Sequence, residues 1–291
     1  MTQKSELVLL QEVGPRDGLQ NEPTSLTPEL RAKFINGLAE SGLSRIQIGS
    51  FVNPRRVPQM LGTNLVWSLV RKKPGMRFSV LVLNEKGLEK AIAEHIPHIE
   101  IYVSVSETHS MKNTGMEIQQ SLAQATRIIS EARSHNVTVT AGVMCALGCA
   151  YEGAIKPARV VSLIRNFEEC GPDEIVLADT TGMGEPDQVA ALVESVGKIT
   201  GMDRIGLHLH DTHGRGYDNL RAALRSGARR FDTSIGGIGG CPFIPGAEGN
   251  IATETTVKLI GSLGYSTGVN VQCLLRVRNE LTEMLGQEKN D

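Results

Sequence analysis

The stretch Arg204-Ile205-Gly206-Leu207-His208-Leu209-His210-Asp211-Thr212-His213-Gly214 reads as a short strand that ends in polar residues. Side chains alternate faces along a strand, so His208 and His210 project to one side and Leu207 and Leu209 to the other. Working outward, similar β-branched or apolar runs recur at 7–13, 45–48, 77–83, 99–105, 137–144, 174–178, 205–209 and 230–235, which makes eight predicted strands. Between them lie stretches with apolar residues three and four apart. In 27–41 these are Leu30, Phe34, Ile35 and Leu38, and in 116–134 they are Ile118, Leu122, Ala125, Ile128 and Ile129. Thr27-Pro28-Glu29 reads as a helix start, because proline is tolerated at the first helical position. Strict alternation of strand and helix implies a parallel sheet with right-handed crossovers. Eight such units predict a (β/α)₈ barrel in a single domain, 1–291, with 265–291 as a peripheral helical extension against the barrel or a partner subunit. An open doubly wound sheet is disfavoured, since no G-x-G-x-x-G follows the first strand.

Composition narrows the function classes. The chain of 291 residues is 40% apolar and 21% charged with a net charge of −2, which suits a soluble globular protein. No Lys/Arg-rich run points to nucleic acid or an anionic membrane surface. The opening MTQKSELVLLQEVG lacks the apolar segment and cleavage site of a secretory signal, and no stretch approaches the length of a membrane span. Five cysteines, Cys145, Cys149, Cys170, Cys241 and Cys273, are too few for a disulfide framework, and a reducing cytoplasm is expected.

Polar residues fall where a barrel gathers its chemistry, at the C-terminal ends of the strands. Arg16 and Asp17 follow strand one, Gln47 ends strand two, Asp179 follows strand six, and His208 and His210 end strand seven. Cys241 and Asn250 lie in the long loop after strand eight. An isolated H-x-H is more often a satisfied polar pair than a metal clamp. Asp17 and Asn250, however, add hard oxygen ligands to the two imidazoles, and the four together describe an open site for Mg or Mn, with Co or Zn as alternatives. The Cys145/Cys149 spacing lacks the second ligand pair of a structural zinc site. Arg16 is suited to negative charge developing on an oxygen. Asp179 either caps the next helix or holds a ligand histidine in one tautomer. The Gly236-Gly237-Ile238-Gly239-Gly240-Cys241 run suits a lid that carries an acid or base, against the plainer reading of a structural cysteine.

Assembled, these motifs resemble the 3-hydroxy-3-methylglutaryl-CoA lyase family, over about 12–255. The resemblance rests on Val13-Gly14-Pro15-Arg16-Asp17-Gly18-Leu19-Gln20-Asn21-Glu22, Ser50-Phe51-Val52, Ser106-Glu107-Thr108, His208-x-His210-Asp211-Thr212, Gly239-Gly240-Cys241-Pro242 and Gly246-x-x-Gly249-Asn250. It implies one divalent cation on Asp17, His208, His210 and Asn250, and an acyl-CoA substrate bound through a tertiary hydroxyl and a carboxylate. It also implies His208 or Asp17 as base, Arg16 at the enolate oxygen, Cys241 as proton donor and a homo-oligomer, most simply a dimer. One departure from the family pattern bears on the chemistry. Gln47 stands where the family carries a Glu, and an amide hydrogen-bonds but exchanges no proton. Ile48 and Gly49 replace small residues, and Arg55-Arg56 replace Lys-Trp. Two other functions stay open: condensation of an acyl-CoA with a 2-oxo acid on the same metal site, or a weakened barrel that binds acyl-CoA without turning it over.

Overall fold

The computed structural model describes residues 5–53, 55–239 and 249–286. Eight parallel strands close into a barrel in sequence order, the last pairing with the first. They are β1 (Leu9–Glu12), β2 (Arg45–Ser50), β3 (Arg77–Leu81), β4 (His98–Ser104), β5 (Thr138–Met144), β6 (Glu174–Asp179), β7 (Ile205–Leu209) and β8 (Arg230–Thr233). The helices are α1 (Pro28–Glu40), α2 (Thr63–Leu69), α3 (Glu85–Ala93), α4 (Glu107–Thr114), α5 (Ile118–Ser134), α6 (Pro157–Cys170), α7 (Pro186–Thr200), α8 (Gly216–Arg225), α9 (Thr253–Ser262) and α10 (Val271–Leu285). All eight predicted strands are present, and their ends shift by a few residues. The difference with a consequence lies in β2. The strand runs on to Ser50, with an irregularity between Gln47 and Gly49, so Gln47 sits inside the strand rather than at its end.

Local chemistry explains the element ends. Thr27 accepts from the Leu30 amide with Pro28 at the first helical position, which starts α1 where the sequence predicts. Asn270 caps α10 through the Cys273 amide, and Gly286 ends it in a left-handed conformation. The apolar stripe of α10, Leu274, Val277, Leu281 and Leu285, is buried, and Val277 packs against Gly37 of α1. The extension therefore lies against the barrel's own helices. Among the described residues no helix is long and apolar enough to cross a membrane.

The apolar core lies between the barrel and its helices, where strand residues such as Ile99, Ile101 and Val103 meet helix residues such as Ile128, Ile129 and Phe167. The barrel interior is instead polar. At its lower end Arg45, Arg77 and Arg230 converge from three strands on Glu174, Arg77 at 2.5 Å. One layer above, Gln11 donates to Glu100 Oε1 at 3.1 Å and to Asp232 Oδ1 at 3.3 Å. Glu174, with Asp232 acting on Arg230, offsets part of the arginines' positive charge, which is how buried ions are tolerated. The layer above that forms the floor of the site.

Candidate active site

Arg16 and Asp17 are presented by a wide turn, Gly14–Gly18, in which the Val13 carbonyl receives the amides of Arg16 and Asp17 at 3.0 and 2.7 Å. The turn aims both side chains across the barrel mouth. Arg16 Nη1 donates to Asp17 Oδ1 at 2.7 Å, and Arg16 Nε donates to Gln47 Oε1 at 2.5 Å. Two bonds on different edges fix the plane of the guanidinium. Burial opposes ionisation of Asp17, but Arg16, His208 and His210 outweigh it and hold the carboxyl near 2. It is an anion at any physiological pH.

His208 and His210 emerge on the same side of β7, as alternation requires, with Leu207 and Leu209 buried on the other. Their Nε2 atoms face each other at 3.1 Å, and Asp17 Oδ2 lies 3.9 Å from His208 Nε2. The ligand atoms of Asp17, His208 and His210 all fall within 4.8 Å of one another. Two nitrogens on one cation at about 2.1 Å each, at right angles, stand about 3 Å apart, so the imidazole pair has the spacing of adjacent ligands. Asn250 donates its amide to Asp17 Oδ2 at 2.9 Å and to the Ile238 carbonyl at 3.1 Å, while its buried Oδ1 has no protein partner. An orphaned carbonyl oxygen beside an anionic carboxylate and two imidazoles suits a cation, reached when the amide turns over. The residues present therefore fit a divalent ion.

Asp179 follows neither of its two readings: the residue before α7 is Glu185, and His208 meets another carboxylate. Both Asp179 oxygens accept from the Gly184 amide, at 3.2 and 3.0 Å, in the turn that leads into α7, so it braces a loop. The carboxylate that orients a histidine is Asp232, whose Oδ2 lies 3.3 Å from His208 Nδ1. Burial disfavours protonation of His208, yet Asp232 and Asp17 outweigh it and raise its pKa above the ordinary value. Burial and the neighbouring His208 push His210 down to about 4. Asp232 escapes a reading of strand ends because it lies within β8, and its inward position by alternation in Arg230-Phe231-Asp232 is the signal available. Glu12, the last residue of β1, is a second buried carboxylate whose role no local pattern marks. It accepts from the amides of Gly14 and Ile235, both at 2.9 Å, and from Thr253 Oγ1 at 2.6 Å, tying the Arg16/Asp17 turn to the start of the glycine-rich loop. Cys241 itself lies outside the described residues.

Cys145 and Cys149 are fully buried, with Cys149 Sγ 3.0 Å from Ser106 Oγ, and burial together with Cys149 pushes the Cys145 thiol up to about 12. Among the described residues neither belongs to a cluster of metal-binding side chains. The Gly49 substitution also has a local cause. A Cβ there would stand 2.7 Å from Nη2 of Arg31, a fully buried arginine that pins the backbone of 48 and 59–61.

Arg16, Asp17, His208 and His210 line a cavity of about 640 Å³ at the barrel mouth, together with Tyr102 and, at its exposed rim, Arg56 and Asn84. That volume suits a small-molecule site. The HMGL-like family model matches residues 8–281. The chain belongs to the HMGL-like family. This HMGL-like chain is 38% identical over 285 residues to a cytoplasmic 3-hydroxy-3-methylglutaryl-CoA lyase of Rattus norvegicus, covering 98% of this chain and 83% of that protein. It is 39% identical to an (R)-citramalyl-CoA lyase of Chloroflexus aurantiacus, covering 97% and 92%. Among solved structures it is similar to an HMG-CoA lyase of Acinetobacter baumannii in complex with coenzyme A and 3-methylmalate, with a TM-score of 0.94, 36% identity and coverage of 100% and 95%.

Proposed function

We propose that the protein is a divalent-cation-dependent carbon–carbon lyase that cleaves a 3-hydroxyacyl-CoA bearing a distal carboxylate, with 3-hydroxy-3-methylglutaryl-CoA as the first substrate to test. The observation that carries this reading is the convergence of Asp17, His208 and His210 beside Arg16 in one cavity of an HMGL-like barrel. Asp17, His208, His210 and the turned amide of Asn250 would hold the cation, Mg or Mn first by ligand chemistry. When bound, it supplies Lewis acidity to the substrate's carbinol and carboxylate oxygens.

The chain's own residues account for the remaining chemistry. His208, held through Nδ1 by Asp232, or Asp17 takes the carbinol proton. The bond from the carbinol carbon to the thioester α-carbon then breaks, leaving a ketone and an acyl-CoA enolate. Arg16, fixed in plane by Asp17 and Gln47, neutralises the enolate oxygen. Cys241 is the proposed donor of the proton to the enolate carbon.

A second substrate is favoured by Gln47. Its buried Nε2 has no partner, so the Arg16 side of the site holds a spare donor where a carboxylate would hold an acceptor. That suits a substrate with its carboxylate directly on the carbinol carbon, as in citramalyl-CoA. Four free thiols among the described residues support a reducing, cytoplasmic location. Incubating cation-loaded protein with both thioesters is expected to release acetyl-CoA and a keto acid from at least one. Release from neither sinks the lyase reading, and acetyl-CoA consumption that depends on an added 2-oxo acid would favour condensation.

A further inference from the structure

The inner wall of the cavity is built in part by β4 and β5, and there one side chain is fitted to the strand beside it. Tyr102 on β4 is in register with Gly142 on β5. A Cβ at position 142 would lie 2.1 Å from two ring carbons of Tyr102, so the ring rests directly on the glycine backbone. Any larger residue at 142 would force the ring elsewhere. The far end of the side chain is tied as well. The Tyr102 hydroxyl donates to Glu100 Oε2 at 3.1 Å, and Glu100, fully buried, is itself fixed by Gln11 at 3.1 Å and by Ser79 at 2.5 Å. The ring is thus seated on a glycine at one side and hydrogen-bonded at its tip to a buried, doubly held carboxylate, which holds it in place at both ends.

The half-buried face of Tyr102 is turned to the cavity, where Leu81 and Met144 line the same wall. The Tyr102 hydroxyl is joined through Glu100 and Gln11 to Asp232, the carboxylate beside His208, which places the tip of the ring at the catalytic end of the cavity rather than at the rim formed by Arg56 and Asn84. In a lyase of the kind proposed above, that end receives the acyl group.

We infer that Tyr102, clamped between Gly142 and Glu100, sets the size of the acyl group by filling the space that a long substituent on the carbinol carbon would need. The inference rests on the lyase reading and makes Tyr102 a specificity-determining residue, with Glu100 as a positioning residue behind it. It commits the protein to substrates whose carbinol substituent is small, no longer than one or two carbons.

The test is a series of 3-hydroxyacyl-CoA thioesters with methyl, ethyl, propyl and butyl on the carbinol carbon, given to the cation-loaded full chain. In the wild type kcat/KM is expected to fall at least about 10-fold from methyl to propyl, the cost of surplus methylenes in a fixed pocket. Tyr102→Leu should flatten or invert that profile, and Tyr102→Phe, which keeps the ring, should preserve its slope. A flat wild-type profile overturns the inference, as does a Tyr102→Leu profile parallel to the wild type's. The wild-type series decides alone if Tyr102→Leu does not fold. Calorimetric affinities for the same thioesters are read in parallel. Absence of turnover with size-graded affinity overturns the lyase reading and supports the gate, whereas equal affinities across the series overturn the gate whatever the turnover.

Discussion

His208 Nδ1 meets the Asp232 carboxylate at 3.3 Å, across the pairing of β7 with β8. That contact places the ring proton on Nδ1 and leaves the Nε2 lone pair facing His210 and Asp17. Asp232→Asn removes the anion while keeping the shape, and cation affinity measured by calorimetry is expected to fall by roughly 10- to 100-fold. A melting temperature close to the wild type's would show that the barrel is intact. An unchanged affinity would remove Asp232 from the site.

The imidazole pair should be indispensable. His210→Ala leaves an incomplete ligand shell, so both bound cation, measured by elemental analysis, and lyase rate are expected to drop together. Chelation of the wild type should abolish activity, and readdition of Mg or Mn should restore it. Full turnover in a thoroughly chelated sample contradicts the site.

Gln47→Glu puts a carboxylate against Arg16 Nε, where Gln47 Oε1 now accepts. It restores a group able to exchange a proton in the barrel, so kcat on 3-hydroxy-3-methylglutaryl-CoA should rise at least about 10-fold. A fall in kcat for that substrate, with an intact fold, would mean that the amide is itself adapted to the reaction.

Glu174 governs acid stability. Burial alone would raise its pKa, but Arg230, Arg45 and Arg77 outweigh burial and lower it from 4.5 to about 2. The unfolded chain binds this proton first as pH falls, so the stabilisation is complete above about pH 4.5 and is lost as pH drops toward 2. It amounts to about 3 kcal/mol. Glu174→Gln strands buried arginines and should cost roughly 3–5 kcal/mol at pH 7. Urea unfolding at pH 7 and pH 3 should show the gap between the two proteins narrowing at the lower pH.

Cys241→Ser tests the proposed proton donor. Cation and acyl-CoA binding should persist while single-turnover cleavage slows by roughly 100-fold or more, the scale of a lost general acid. An unchanged rate in folded protein assigns the proton to another group.

The sequence alone determined the barrel, because strand and helix periods of 2 and 3.6 residues are local properties and eight alternations leave few ways to close. It also pointed to Asp17, His208 and His210, which the fold brings within 4.8 Å of one another, since each stands at or just beyond the C-terminal end of a strand, where a linear reading can place it. What it misplaced or did not reveal depends on the assembled barrel. Gln47 reads as a strand end and lies inside β2, because the β2–β3 register shifts past it. Asp232, Glu100 and Glu12 sit on different strands and gain their roles only through partners on others, Asp232 through His208, Glu100 through Tyr102 and Gln11, and Glu12 through Ile235 and Thr253. Asp179 went to bracing a loop for the same reason. Which buried carboxylate orients a ligand and which braces a turn is decided by distances of about 3 Å between chain segments as much as 241 residues apart. Closure of the barrel sets those distances, and no local periodicity encodes them.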